Sequence, residues 1–135
     1  MTSRIIYKGN LRTEMTHLQS GTIVETDAPK DNHGLGEKFS PTDLLASALG
    51  ACMLSIMGIA ARTHQIDVDG TIVDIEKIMV ADPHRRIGEI KADLHFPKDK
   101  SYDDKQRKII EHAAMTCPVF LSLSEKVVKT VHFHW

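Results

Sequence analysis

Two cysteines, Cys52 and Cys117, are the side chains in this 135-residue sequence best suited to covalent chemistry. A thiolate is a strong nucleophile and can cycle through a sulfenic acid and a disulfide. The two lie 65 positions apart, so they form no CxxC redox or zinc signature. Their local settings differ. Cys52 falls within an uncharged run, residues 44–61. There Leu44, Ala48 and Cys52 share one helical face at four-residue spacing. Burial in such a segment raises a thiol pKa unless a cation stands nearby. Cys117 precedes Pro118, a good first residue of a helix, which would make Cys117 the N-cap. Free N–H groups and the helix dipole there favour an anion, so this position predicts a lowered thiol pKa. Taken alone, either cysteine reads first as a small buried hydrophobe.

Other side chains offer weaker signals. His132 and His134 share a strand face with the spacing of paired metal ligands, but no third ligand can be assigned. The bland reading is a polar strand face, and no metal is expected. His112, five residues before Cys117, reads as a helix-surface histidine. Met53 and Met57, four residues apart, sit beside Cys52 and read as core or interface packing, or as the lining of an apolar pocket. No GxGxxG, P-loop, GxSxG or HExxH motif occurs. The net charge is −1 and aromatics are 5% of residues, so nothing draws nucleic acid. His84-Arg85-Arg86 reads as a solvated turn.

The elements that must position the thiols can be placed. Strands are expected at Arg4–Lys8, Leu11–Thr16 and Thr22–Thr26, with turns at Gly9-Asn10 and Ser20-Gly21. A polar loop follows over Asp27–Lys38. A helix starts with Ser40 as N-cap, Pro41 in its first turn and Asp43 closing a capping box, and runs to about Thr63. It is apolar on nearly every face and should be buried on nearly every side. Its uncharged run is at the lower length limit for a membrane span, but it is diluted by Ala, Gly and Ser and reads as a core helix. Strands are expected at Val68–Val80 and Ile87–Phe96, the second alternating Ile90, Ala92, Leu94 and Phe96 against Glu89, Lys91, Asp93 and His95. A helix from Ser101, with Asp104 as capping partner, a short helix from Pro118 to Leu123 and a strand at Val127–Trp135 complete an α+β chain with an antiparallel sheet. Residues 1–135 suit one domain. The N-terminal Met-Thr-Ser-Arg-Ile-Ile-Tyr lacks the apolar run of a signal peptide, so a cytoplasmic, reducing location is expected, with no membrane association.

Two segments together carry a family resemblance. Ser40-Pro41-Thr42-Asp43-Leu44-Leu45-Ala46-Ser47-Ala48-Leu49-Gly50-Ala51-Cys52 is similar to the segment ahead of the first cysteine in the OsmC/Ohr family. Thr116-Cys117-Pro118-Val119 is similar to the segment around the second. Gly21, Asp27-Ala28-Pro29, Gly34 and Gly36 match in order and spacing. The resemblance implies an OsmC-like fold: antiparallel sheets wrapped around long central helices in an intertwined homodimer. It implies thiol-dependent reduction of a small hydroperoxide, with Cys52 peroxidatic and Cys117 resolving. It also implies an external thiol or dithiol reductant and no bound cofactor.

In the family a peroxidatic thiolate is served by an Arg from the N-terminal strands and a Glu near the start of the long helix. Arg12, nine residues before Gly21, matches the Arg. Ten residues before Cys52 the chain has Thr42 where the family has Glu. Asp43 is adjacent, although a neighbouring helical residue points about 100° away. Glu37, in the preceding loop, is the other acid able to substitute. This departure places the chain among the broader OsmC-like relatives. It also leaves a second reading open: a non-catalytic dimeric module that binds a small apolar ligand or senses thiol oxidation.

Overall fold

A computed structural model describes all residues, 1–135. In chain order the elements are β1 (Ser3–Gly9), β2 (Arg12–His17), β3 (Ile23–Asp27), α1 (Pro41–His64), β4 (Ile72–Val80), β5 (Arg86–His95), α2 (Asp104–Met115), α3 (Pro118–Ser122) and β6 (Val128–His134). Packing divides the chain into two compact units, Met1–Leu45 and Ala46–Trp135.

The first unit is an antiparallel meander in the order β1-β2-β3. Asn10 and Leu11 turn the chain with φ of 51° and 60°. Positive φ at both central residues is the signature of the type I′ turn, whose twist matches paired strands. The register aligns Ile5 with Met15 and Met15 with Val24, so these three share one face with Tyr7. The opposite face aligns Ile6, Glu14 and Glu25, and carries ion pairs from Lys8 to Glu14 and from Lys38 to Glu25. No hydrophobic side chain of this unit is buried, and Ile5 and Tyr7 are 60% and 65% exposed. The loop after β3 folds on itself: Gly34 N–H donates to Pro29 O, and Gly36 N–H to Ala28 O. A Cβ on Gly34 would lie 1.7 Å from Ala28 O, so only glycine fits there.

Helix α1 begins as its sequence predicts. Asp43 N–H donates to Ser40 Oγ at 3.1 Å, and Ser40 N–H donates to Asp43 Oδ2 at 2.8 Å. In the second unit its Leu49, Met53 and Met57 are fully buried in one core with Ile90, Leu94 and Ile110. Gly50 lies against β4, where a Cβ would meet Val73 and Ile75 side-chain carbons at 3.1 Å. α1 is long and apolar enough to cross a membrane by length and composition, but one stripe of it forms this core. Burial on nearly every side is not found: Leu45 and Ile59 are 45% and 62% exposed within the single chain.

The second sheet runs β4-β5-β6. The alternation in β5 holds, with Ile90, Ala92, Leu94 and Phe96 all buried. β4 and β5 are antiparallel, but β5 and β6 are parallel. The sequence reading expected only antiparallel pairing. The helices α2 and α3 form a crossover that returns the chain to the end where β5 began, and a parallel partner results. β4 begins at Ile72, not Val68, because Val68 O accepts from both Thr71 N–H and Thr71 Oγ and closes a turn. α2 begins at Asp104, not Ser101. Asp103 is its cap, accepting from Gln106 N–H at 2.7 Å while Gln106 Oε1 accepts from Asp103 N–H at 3.0 Å. Tyr102 is buried outside the helix, with its hydroxyl donating to Asp67 O.

Candidate functional site

The fold brings together the two thiols that the sequence separates. Cys52 is half-buried on α1, and Cys117 is fully buried at the cap of α3; both are free. Cys117 has the N-cap geometry its sequence predicts: its Sγ accepts from Phe120 N–H at 3.4 Å. Its pKa nevertheless moves opposite to the expectation. Burial pushes the Cys117 thiol up; the Phe120 and Val119 N–H groups pull it down, but by less. Hydrogen bonding and charge from Cys52 add to the rise. The local dipole argument is correct in sign and is outweighed by desolvation. In the core that holds Cys117, Met53 is buried, and Met115, Val119 and Phe120 pack partly buried against it. Met53 and Met57 are thus core residues, as the spacing suggested.

A polar cluster forms in the first unit. The guanidinium of Arg12 holds Asp27 with two bonds, Nε to Oδ1 at 2.7 Å and Nη2 to Oδ2 at 2.9 Å. Its Nη2 also donates to Glu37 Oε2 at 2.8 Å. Glu37 N–H donates to Asp27 Oδ2 at 3.1 Å, so the loop is tied to the same carboxylate. The Arg12 hydrogen bond holds the Asp27 carboxyl below its ordinary value, and the Glu37 and Lys38 N–H groups assist against the opposing effect of burial. The two acids raise the Arg12 pKa further, so it is charged at every accessible pH. Two of the sequence candidates, Arg12 and Glu37, are thus direct partners.

Asp27 was not singled out, although it is buried and shares both guanidinium bonds. The signal lay in strand register, because Arg12 and Asp27 are cross-strand partners. Asp43 and Ser40 cap α1, and Thr42 Oγ1 is 3.1 Å from Ser40 Oγ. His112 is exposed on α2. His134 shares a 2.7 Å hydrogen bond with Asp93 and stacks on His95 with ring centres 4.6 Å apart. No group of three His, Cys, Asp or Glu side chains is arranged to hold a metal ion.

The fold and the paired thiols define a two-cysteine α+β protein with a long cysteine-bearing helix. The chain belongs to the OsmC-like protein family, whose model matches residues 34–132. It is similar to a Psychrobacter arcticus structure described as a candidate osmotic stress induced and detoxification response protein. That match has 47% identity and a TM-score of 0.92, over 99% of this chain and 96% of that one. Two further structures share the fold at low identity. The organic hydroperoxide resistance protein OsmC of Legionella pneumophila is 15% identical with a TM-score of 0.79, over 100% and 98% of the two chains. The organic hydroperoxide resistance protein OhrB of Bacillus subtilis is 16% identical with a TM-score of 0.69, over 98% of each. No match was found among curated proteins.

Proposed function

We propose that the protein is a homodimeric, cytoplasmic hydroperoxide reductase that works through Cys52 and Cys117 with an external thiol or dithiol as reductant. The observation that carries this reading is the pairing of a partly accessible thiol with a buried one whose pKa burial raises. The Cys52 thiolate attacks the outer peroxide oxygen, the O–O bond breaks, and the leaving alkoxide takes a proton to become an alcohol. Cys52 is left as a sulfenic acid. The Cys117 thiol condenses with it, forming the disulfide and releasing water. A dithiol then restores both thiols by exchange and is itself oxidised. The family resemblance gives Arg12, held in the first unit by Asp27 and Glu37, the part of the family's cation, with Thr42 standing where the family has Glu. Relatives of the same fold named for organic hydroperoxide resistance support the substrate class.

The homodimer is supported by apolar surface that a single chain leaves uncovered. The Ile5–Met15–Val24 face of the first sheet and Ile59 of α1 are among it. In a dithiol-coupled assay with an organic hydroperoxide, Cys52→Ser should lose essentially all peroxide consumption. Cys117→Ser should instead accumulate a sulfenic acid, seen as a dimedone adduct by mass spectrometry. Full turnover in Cys52→Ser sinks the proposal.

A second reading is favoured by Thr42 at the family's Glu position and by the sealed setting of Cys117. It is a non-catalytic module that binds a small apolar ligand or senses thiol oxidation. A slow, unsaturable reaction with several hydroperoxides, together with tight binding of an apolar ligand, would select it.

A further inference from the structure

Away from the thiols, the second unit contains an open groove of about 710 Å³ between the end of α1 and the exposed side of α2. Ala60, Ile109 and Ala113 line it with apolar surface. His64, Lys105, Lys108 and His112 surround this floor, and Asp104 is the one carboxylate present. Lys105 and Lys108 are three residues apart on α2, so their side chains project on the same side. Neither Cys52 nor Cys117 lines the groove.

The basic groups around it outnumber the single carboxylate, Asp104. The side chains of His64, Lys105, Lys108 and His112 make no hydrogen bond or ion pair within the chain. A lone surface lysine calls for no explanation, because water solvates it well. Two lysines and two imidazoles converging over one concave apolar floor are a different arrangement. The volume lies within the range of small-molecule sites, which pair apolar walls with a few polar groups that fix orientation.

We propose that this groove binds a small amphipathic organic anion, an alkyl or aryl body ending in a carboxylate or sulfonate. The body lies on Ala60, Ile109 and Ala113, and the anionic end sits between Lys105 and Lys108. The site is separate from the thiols, so it operates whether or not they reduce peroxides.

The test uses the full chain in its native assembly state, with decanoate as probe and decanol as its uncharged counterpart. Binding is measured by calorimetry and by displacement of anilinonaphthalene sulfonate. Decanoate should bind, and the Lys105→Gln/Lys108→Gln double variant should weaken it about tenfold, the combined value of two partly exposed ion pairs. Added salt should weaken decanoate binding to the native chain and leave decanol unaffected. Ala60→Phe, which fills the floor, should abolish binding of both probes. If that variant does not fold, the lysine variant decides alone, since its side chains are exposed. Cys52→Ser should bind decanoate as the native chain does, while losing peroxide turnover if the function proposed above is correct. Unchanged affinity in the lysine variant overturns the proposal. So does absence of binding at on the order of 1 mM, the result expected if a second copy of the chain covers the groove.

Discussion

The two units solve the problem of holding a chemically useful side chain in opposite ways. Residues 1–45 bury Thr26, Asp27 and Ser40 and no hydrophobic residue, and their best-connected group is the Arg12–Asp27–Glu37 cluster. Residues 46–135 bury Leu49, Met53, Met57, Ile90, Leu94 and Ile110 completely, and seal Cys117 among them. One unit orders an ion with fixed polar partners; the other sets a thiol's protonation by excluding water. The first therefore leaves its apolar residues uncovered within the single chain, whereas the second buries its own.

The comparison can be broken first where the expected effect is largest. Leu49→Ala should cost about 2–5 kcal/mol in urea unfolding, the usual range for deleting a buried leucine side chain. Ile5→Ala should instead act through assembly, with an unfolding midpoint that depends on protein concentration. An equal, concentration-independent loss for both would erase the distinction between the units.

A smaller effect sharpens the polar side of the contrast. Asp27 has its folded pKa held below its ordinary value of 3.8, so as pH falls the unfolded chain takes up this proton first. The stabilisation is full above that value and is lost as pH drops through the lower folded one. Urea midpoints measured from roughly pH 6 down to roughly pH 2 should fall with acid, and Asp27→Asn should flatten that decline. An unaltered acid profile in Asp27→Asn would show that the cluster adds nothing to folding.

The smallest effect tests the apolar side. Burial raises the Cys117 pKa, so above the thiol's ordinary value of 9.0 the unfolded chain releases a proton that the folded chain keeps. Stability from this group is complete below that pH and declines above it. Cys117→Ala should remove part of the alkaline decline, measured as the difference between midpoints at pH 8 and pH 10, on either side of the thiol's reference value of roughly 8.5–9. A decline identical with and without the thiol would mean that water reaches Cys117.

What could be read from the sequence was whatever a few adjacent residues decide. Ser40, Pro41 and Asp43 start α1 by contacts within one turn, and Pro118 makes Cys117 a cap. The alternation in β5 was also local. The direction of the Cys117 shift was not, because it depends on core residues and on Cys52, all assembled by tertiary folding. Asp27 was missed for a related reason: its pairing with Arg12 requires the register of β2 on β3, which the turn between them fixes only in three dimensions. The orientation of β6 depends on where a two-helix crossover delivers the chain, and no residue within β6 encodes it. At the start of α2 the cap was expected at Ser101; it falls at Asp103, and Tyr102 is held against Asp67.

Gly50 gives the position of Cys52 a mechanical origin. Two residues before that sulfur, the helix rests on Val73 and Ile75 with no room for a methyl group without movement. Val73 and Ile75 therefore act as a stop against which the helix is seated. A hydrogen atom in place of a methyl sets how deep the helix sits, and with it how far the neighbouring sulfur must reach to meet its partner. An alanine at that point would push the Val73 and Ile75 side chains aside by a few tenths of an ångström, so the seat of the thiol-bearing helix is set by the floor under it as well as by the residues beside it.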